Sequence, residues 1–377
     1  MTQETALSKK YSDLAVYRQC FLEEAWDAAE LTLPFILPRN ATYNQTLPTP
    51  YQGVGARGIN NLTAKLLLTL FPPNSPFFKF QIDDFTLEEL EAQRAPVEEG
   101  LNSMERAVMD EIEGKAMRVP LNECIRHLLI TGNAVLHAEK DNTIRVFHLD
   151  QYVVRRDPQG KVLEIIVKEQ MSRELYKEIF KSAPPSETGT SADGNEKELS
   201  LYTSVKRIDK KIKVRQEVND KRIPGTDSEH PLDKTPWLAL RYNAIDGEDY
   251  GRGFVEEYLG DLKTVEGLSK AIIEGTAAAA KVLFLVKPNG TTKMRTVSNA
   301  PNLAVRQGNK DDVTVVQVEK FSDFRVARET MEGVERRLAA AFLLNQSVQR
   351  DAERVTAEEI RFLANELETS LGGIYSL

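Results

Sequence analysis

Cysteine is nearly absent. Two in 377 residues, Cys20 and Cys124, cannot build a disulfide framework, and they fit a reducing interior in which both pack into the core. Histidine is also scarce: His127, His137, His148 and His230 show no H-E-x-x-H or paired-ligand spacing, so they are read as packed or solvated and no metal is expected. No stretch of about 18 apolar residues occurs. The nearest, AIIEGTAAAAKVLFLV, is interrupted by Glu274 and Lys281, and no membrane span is expected. The first residues, MTQETALSKKYSDL, lack the basic-then-apolar order of a secretory signal. Positive charge is not in excess either. With 49 Lys+Arg against 57 Asp+Glu the net charge is −8, which excludes the overall basic footprint of a tight nucleic-acid binder and leaves only local contacts. A G-x-x-x-x-G-K-[ST] loop and a G-x-S-x-G elbow are both missing, which excludes P-loop hydrolysis of nucleotides and the nucleophile elbow of hydrolases.

What is present is a balanced globular chain, 41% hydrophobic and 28% charged. It is too long for one core, and two or three subdomains are expected. The first 130 residues carry helical periodicity. Tyr17, Phe21, Ala25, Ala28 and Leu31 recur at steps of three and four until Pro34, and a proline-spaced loop follows to Tyr51. Ile59, Leu62, Leu66, Leu67 and Leu70 predict a helix from about Ala56 to Phe71, stopped by Pro72-Pro73. Thr86 with Glu89 forms a capping-box spacing before an amphipathic stripe at Val97, Leu101, Met104, Val108 and Ile112. One more helix runs from Leu121 to Ile130, ending at Gly132-Asn133.

The period then changes to two. TIRVFHL, YVVRR, a turn at 157–160 and VLEIIV predict antiparallel hairpins, and the polar run 182–198 reads as a mobile surface loop. LSLYTSVKRI and KIKVRQEV predict another hairpin, whose basic excess over 206–222 is read as a solvated edge. From Phe254 a helix is expected to about Lys281, then a strand, a turn at 287–290, a second strand in DVTVVQVE and a helix from Asp323 to Leu344. A polar loop and a helix capped by Thr356 and Glu359 follow. Its stripe Ile360, Leu363, Leu367 and Leu371 runs to the last residues, so further residues are expected beyond them.

The one cofactor-like motif is GVGARG, Gly53 to Gly58, which has the G-x-G-x-x-G spacing. A dinucleotide site needs a strand before that turn, and LPTPYQ with two prolines is a poor one. It is read as an entry into a helix. Adjacent acids such as Glu256-Glu257 and Glu358-Glu359 point about 100° apart on a helix and make poor acid/base dyads. Nothing in the residues demands catalysis.

Four long stretches together resemble one family: VGARGINNLTAKLLLTLFPP at 54–73, YVVRRDPQGKVL at 152–163, DGEDYGRGFVEEYLGDLKTVEGL at 246–268 and AFLLNQSVQRDAERVTAEEIRFLANELETSLGGIYS at 341–376. The chain is similar, over nearly its whole length, to the portal, or head-to-tail connector, of short-tailed bacteriophages. The resemblance implies an α+β, mainly helical portal fold with wing, stem and clip regions, assembled as a dodecameric ring at a capsid vertex around a channel for double-stranded DNA.

Carried over, residues 1–252 correspond to the wing, 253–281 and 323–344 to the two stem helices, 282–322 to the clip, 345–355 to the tunnel loop and 356–377 to the start of a kinked wing helix, the crown being absent. The tunnel loop presents Asn345, Gln346, Gln349, Arg350, Asp351 and Arg354 to the channel. Arg350 and Arg354 either touch the DNA backbone transiently or pair with Asp351 and Glu353 and hold the loop. The clip, with Lys287, Asn289, Lys293, Arg295 and Arg306, docks the packaging terminase and later the tail adaptor. The stem packs copy to copy through Leu262, Val265, Lys270, Arg336 and Leu338, with Lys263 and Arg337 available to pair with Asp261, Glu266, Glu332 and Glu335. Further partners implied are the major capsid, scaffolding and internal core proteins, with assembly in the host cytoplasm. No cofactor is implied. The alternative from another class is a dinucleotide-dependent enzyme built on Gly53–Gly58.

Overall fold

The computed structural model describes residues 6–39, 46–73, 76–82, 94–181, 199–279, 283–289, 292–293, 295, 305, 307, 309–316 and 321–344. The chain forms two compact units, Met1–Gly260 with Leu338–Leu377, and Asp261–Arg337. Among the described residues no helix is long and apolar enough to cross a membrane.

The first unit opens with α1 (Leu7–Glu30), longer at its start than the periodicity predicts. The extra turns form because Leu7 and Tyr11 are buried against Val153 and Ile166 of a sheet, a contact that no local pattern reveals. Arg18, on the inward face, donates to the carbonyls of Leu149, Asp150 and Tyr152 and so shapes the turn entering that sheet. Cys20 corrects the expectation of two core cysteines: Cys124 is buried, but Cys20 is exposed on the outer face of α1.

Helices α2 (Val54–Leu70), α3 (Arg94–Gly114) and α4 (Arg118–Thr131) follow, close to the predicted positions. The Thr86–Glu89 capping box lies outside the described residues. The stripe of α3 is present, yet none of Val97, Leu101, Met104, Val108 and Ile112 is buried, and Met104 is 61% exposed. Gly132 ends α4 in the left-handed region at φ 74°. An added Cβ there would meet the backbone of Arg252 at 2.4 Å, so both the conformation and the space require glycine.

The hairpins form as expected. Strands β1 (Asn133–Ala138) and β2 (Ile144–Phe147) pair antiparallel. β3 (Tyr152–Arg156) pairs β4 (Val162–Met171) across the turn at 157–160. After a short helix α5 (Arg173–Phe180), capped by Ser172 and not anticipated from sequence, β5 (Leu199–Ile208) joins β4 and pairs β6 (Lys211–Val218) with Val205 opposite Val214. The two-residue β7 (Lys221–Arg222) and β8 (Ser228–Pro231) both pair β6, while β9 (Trp237–Arg241) returns to β1. The stretch expected to be a mobile loop, 182–198, lies outside the described residues.

Part of the basic excess on β6 is neutralised inside the fold. Lys211 and Lys213 bracket Glu229 of β8 at 2.9 and 3.0 Å. The hydrogen bond from Lys211, then that from Lys213, brings the Glu229 carboxyl down to about 2. Arg222 pairs Asp227 at 2.8 Å.

A short ladder of β10 (Asn243–Ala244) and β11 (Gly251–Arg252) leads to α6 (Phe254–Glu257). Tyr258 then interrupts what the sequence predicts as one helix before α7 (Leu259–Ala279). In the second unit, most of α7 connects to β12 (Leu283–Val286), β13 (Val313–Val316) and α8 (Phe321–Ala341). This is the strand-bearing excursion between two helices that the sequence predicts.

Candidate functional site

Two places in the structure carry residues singled out from sequence, the α7/α8 pair and the β12/β13 ribbon, and a third lies at the end of α8.

Within the second unit α7 and α8 run antiparallel. Asp261 faces Arg337, Ser269 faces Met331 and Gly275 faces Phe324, so each advance along one helix is matched by a retreat along the other. Arg337 grips Asp261 with two bonds, Nη2 to Oδ1 at 2.8 Å and Nε to Oδ2 at 3.2 Å. Phe324 lies on Gly275, where an added Cβ would come within 2.4 Å of the ring. Leu262, Val265 and Val334 are buried.

This placement changes the reading of the stem residues. Leu262 and Val265, nominated for contact between copies, are 0% exposed within a single chain, and Leu338 in the first unit is likewise 0% exposed. The Arg337–Asp261 pair also closes within one chain instead of between two. Lys270 and Arg336 stay exposed, as do the apolar Ile273 and Val326 on the same helices.

The ribbon pairs Leu283 with Val316 through Val286 with Val313. Beyond it the chain is tied by side-chain bonds: buried Asp312 accepts from the Thr292 backbone N–H at 3.1 Å, and Asn309 N–H donates to Thr292 Oγ1 at 2.9 Å. The Lys287 N–H donates to the Asp312 carbonyl at 2.9 Å. Around this knot Lys287, Asn289, Lys293 and Arg295 are all exposed. The ribbon thus carries at least three outward cations, whereas Arg306 lies outside the described residues.

The third place was missed from sequence. Past α8, Phe342 and Leu343 sit on one face of α2. An added Cβ on Gly58 would lie 2.5 Å from Phe342 Cγ, so only glycine admits that ring. Asn61 Nδ2 donates to the carbonyls of Phe342 and Leu343, both at 3.0 Å, and Lys65 Nζ donates to Leu343 O at 3.3 Å. Phe254 and Tyr258 close around the same ring, with centroids at 5.6 and 6.0 Å. Leu343 has φ +54°, a left-handed conformation that costs a branched residue about 1–2 kcal/mol and is held here by burial and by these bonds. The signal that could have found this place is the stripe Gly58, Asn61, Lys65 at i, i+3 and i+7, a glycine and two polar groups on the inward face of a helix. The residues nominated for the channel, Asn345, Gln346, Gln349, Arg350, Asp351 and Arg354, begin two residues later and lie outside the described residues.

The same geometry bears on the dinucleotide alternative. Residues 46–53 form no strand, and Gly58 is used to seat a phenyl ring. Among the described residues no group of three or more His, Cys, Asp or Glu side chains is placed to hold a metal.

A family model described as bacteriophage head to tail connecting protein matches residues 4–377. The chain belongs to that family and is a structural head-to-tail connector. It is 38% identical to the portal protein of Enterobacteria phage T3 over 389 residues, covering 99% of this chain and 71% of that one. It is 34% identical to the portal protein of Escherichia phage T7 over 383 residues, with 99% and 71% covered. Identity to the portal protein of Enterobacteria phage SP6 is 28% over 380 residues, with 100% and 73% covered. Among solved structures, a chain of the native gene transfer agent virion aligns at TM-score 0.34 and 14% identity, covering 68% of this chain and 66% of that one, too distant to carry an argument.

Proposed function

We propose that this chain is the subunit of a dodecameric portal ring at one vertex of the phage capsid, through whose channel double-stranded DNA enters during packaging and leaves on ejection. The observation that carries this is the family match running from residue 4 to residue 377, with no long stretch left to a different protein.

In this reading 1–252 is the wing, 253–281 and 323–344 are the stem, 282–322 is the clip and 345–355 is the channel loop. The clip's exposed Lys287, Asn289, Lys293 and Arg295, with Arg306, meet terminase and then the tail adaptor. The wing faces the shell, scaffold and internal core proteins. Assembly takes place in the host cytoplasm. The stem contact between copies is made by side chains that a single chain leaves exposed, Lys270, Ile273, Val326 and Arg336. A net charge of −8 per chain suits a conduit, because every phosphate neutralised by a fixed cation adds affinity that holds DNA still. Arg350 and Arg354, among Asp351 and Glu353, give the loop local cations for brief contact with the backbone.

The test has two arms. Negative-stain microscopy of the purified protein at micromolar concentration is expected to show annular particles with a stain-filled centre; monomers throughout that range overturn the ring. Phage carrying Arg350→Glu are expected to retain packaged DNA in fewer particles. Normal packaging and normal retention remove the contact role of that arginine.

A further inference from the structure

We propose that α2 is a clamp for the root of the channel loop: Gly58, Asn61 and Lys65 grip Phe342 and Leu343 and so fix the point from which the chain continues beyond Leu344. The functional consequence rests on the channel-loop reading above; the geometry does not.

The last four carbonyls of a helix have no partner within it. At the end of α8, Phe342 N–H donates to Leu338 O at 2.9 Å and Leu343 N–H to Ala340 O at 3.1 Å. The carbonyls of Phe342 and Leu343 instead accept from side chains nearly three hundred positions away in sequence. One amide, Asn61 Nδ2, reaches both, so it fixes their relative orientation as well as their place. Lys65 brings a cation to the carboxyl-terminal end of a helix, where the peptide dipoles favour positive charge. Beneath them the missing side chain at Gly58 leaves a seat of one ring's depth, and Phe342, fully buried, fills it. Interiors are packed too closely for this ring to shift without α2 shifting as well.

The arrangement is specific to one face. The neighbouring Asn60 points elsewhere and accepts from Arg126 Nη2 at 3.1 Å. Leu343 in the left-handed region completes the case: a leucine is held where glycine is usual, so the surroundings and not the local sequence determine the backbone at this point. A loop that surrounds moving DNA needs a fixed base if its charged side chains are to keep one height in every subunit of a ring.

The experiment compares Asn61→Asp with Asn60→Asp in the assembled protein. Asn61→Asp keeps the size of the side chain but replaces a group that donates to two carbonyls with one that can only accept. Amide hydrogen exchange at Phe342 and Leu343 is expected to accelerate about tenfold or more in Asn61→Asp and to stay unchanged in Asn60→Asp. Lys65→Met, which keeps the aliphatic stem, is expected to accelerate it about threefold and serves if Asn61→Asp does not fold. Unchanged exchange in both overturns the clamp. Phage carrying the variant with faster exchange are then scored for retained DNA. Fewer filled particles support the proposal whole, whereas faster exchange with normal packaging and retention supports the clamp and overturns the channel-loop reading.

Discussion

His148 shows how one residue can set the behaviour of the first unit in acid. Its ring stacks with that of His127 at 6.3 Å between centroids, and among the described residues neither Nδ1 has a hydrogen-bond partner. Burial, then the neighbouring His127, lowers the His148 pKa to about 4; Asp150 opposes them, Arg18 adds a smaller lowering and Glu123 a smaller rise. The folded protein therefore favours the neutral ring, and the unfolded chain binds the proton more readily. Stability from this site is full above about pH 6.5 and is lost as pH falls toward 4. The shift corresponds to about 3 kcal/mol at its limit. Denaturant unfolding of His148→Gln at pH 7, 5.5 and 4 is expected to show a shallower decline with acid than the parent; equal declines would assign the acid sensitivity to other groups.

At the scale of elements, the free edge of β3 is sealed without a strand. The Val154 N–H donates to Tyr250 Oη at 3.0 Å and the Arg156 N–H to Asp249 Oδ1 at 2.6 Å, so two consecutive side chains occupy alternate donors of the strand. An unsealed edge is a template for pairing with another chain. Tyr250 is buried and its ring lies 5.3 Å from that of Phe21, so Tyr250→Phe keeps the packing and removes only the acceptor. A buried backbone N–H left unpaired costs about 1–3 kcal/mol, which sets the expected drop in unfolding free energy. A drop below about 0.5 kcal/mol would mean that water replaces the phenol.

For the whole molecule, the question is what surface remains to hold copies together. Exposed ion pairs such as Arg336–Glu332, at 4.0 Å, contribute about 0–1 kcal/mol each and weaken with salt. In the proposed ring, the apolar residues open to such a contact are those that the single chain leaves in solvent, Ile273 at 51% exposure and Val326 at 59%. Replacing both by aspartate is expected to leave the thermal unfolding of the isolated chain within about 2 °C of the parent, because exposed sites tolerate change. The same pair of changes is expected to raise the concentration for half-assembly about tenfold or more, measured by sedimentation. Unchanged assembly would place the contact elsewhere, the open face of α3 being next to examine.

Local periodicity was enough to place α2, α4, the β3/β4 and β5/β6 hairpins and the two long helices around a strand-bearing excursion, because each repeats a pattern every two or three to four residues. The motif strings were enough to reach the family. What no local pattern held was long-range fit: that Leu7 and Tyr11 extend α1 onto a sheet, that Cys20 faces outward, and that Tyr258 breaks a helix. Leu262 and Val265 show the limit most plainly. An apolar stripe tells that a helix face is covered but not by what, and here one chain covers it alone. Gly58 shows the converse, since the motif that looked like a phosphate cradle is a seat for Phe342, and only the approach of residues far apart in sequence could decide which.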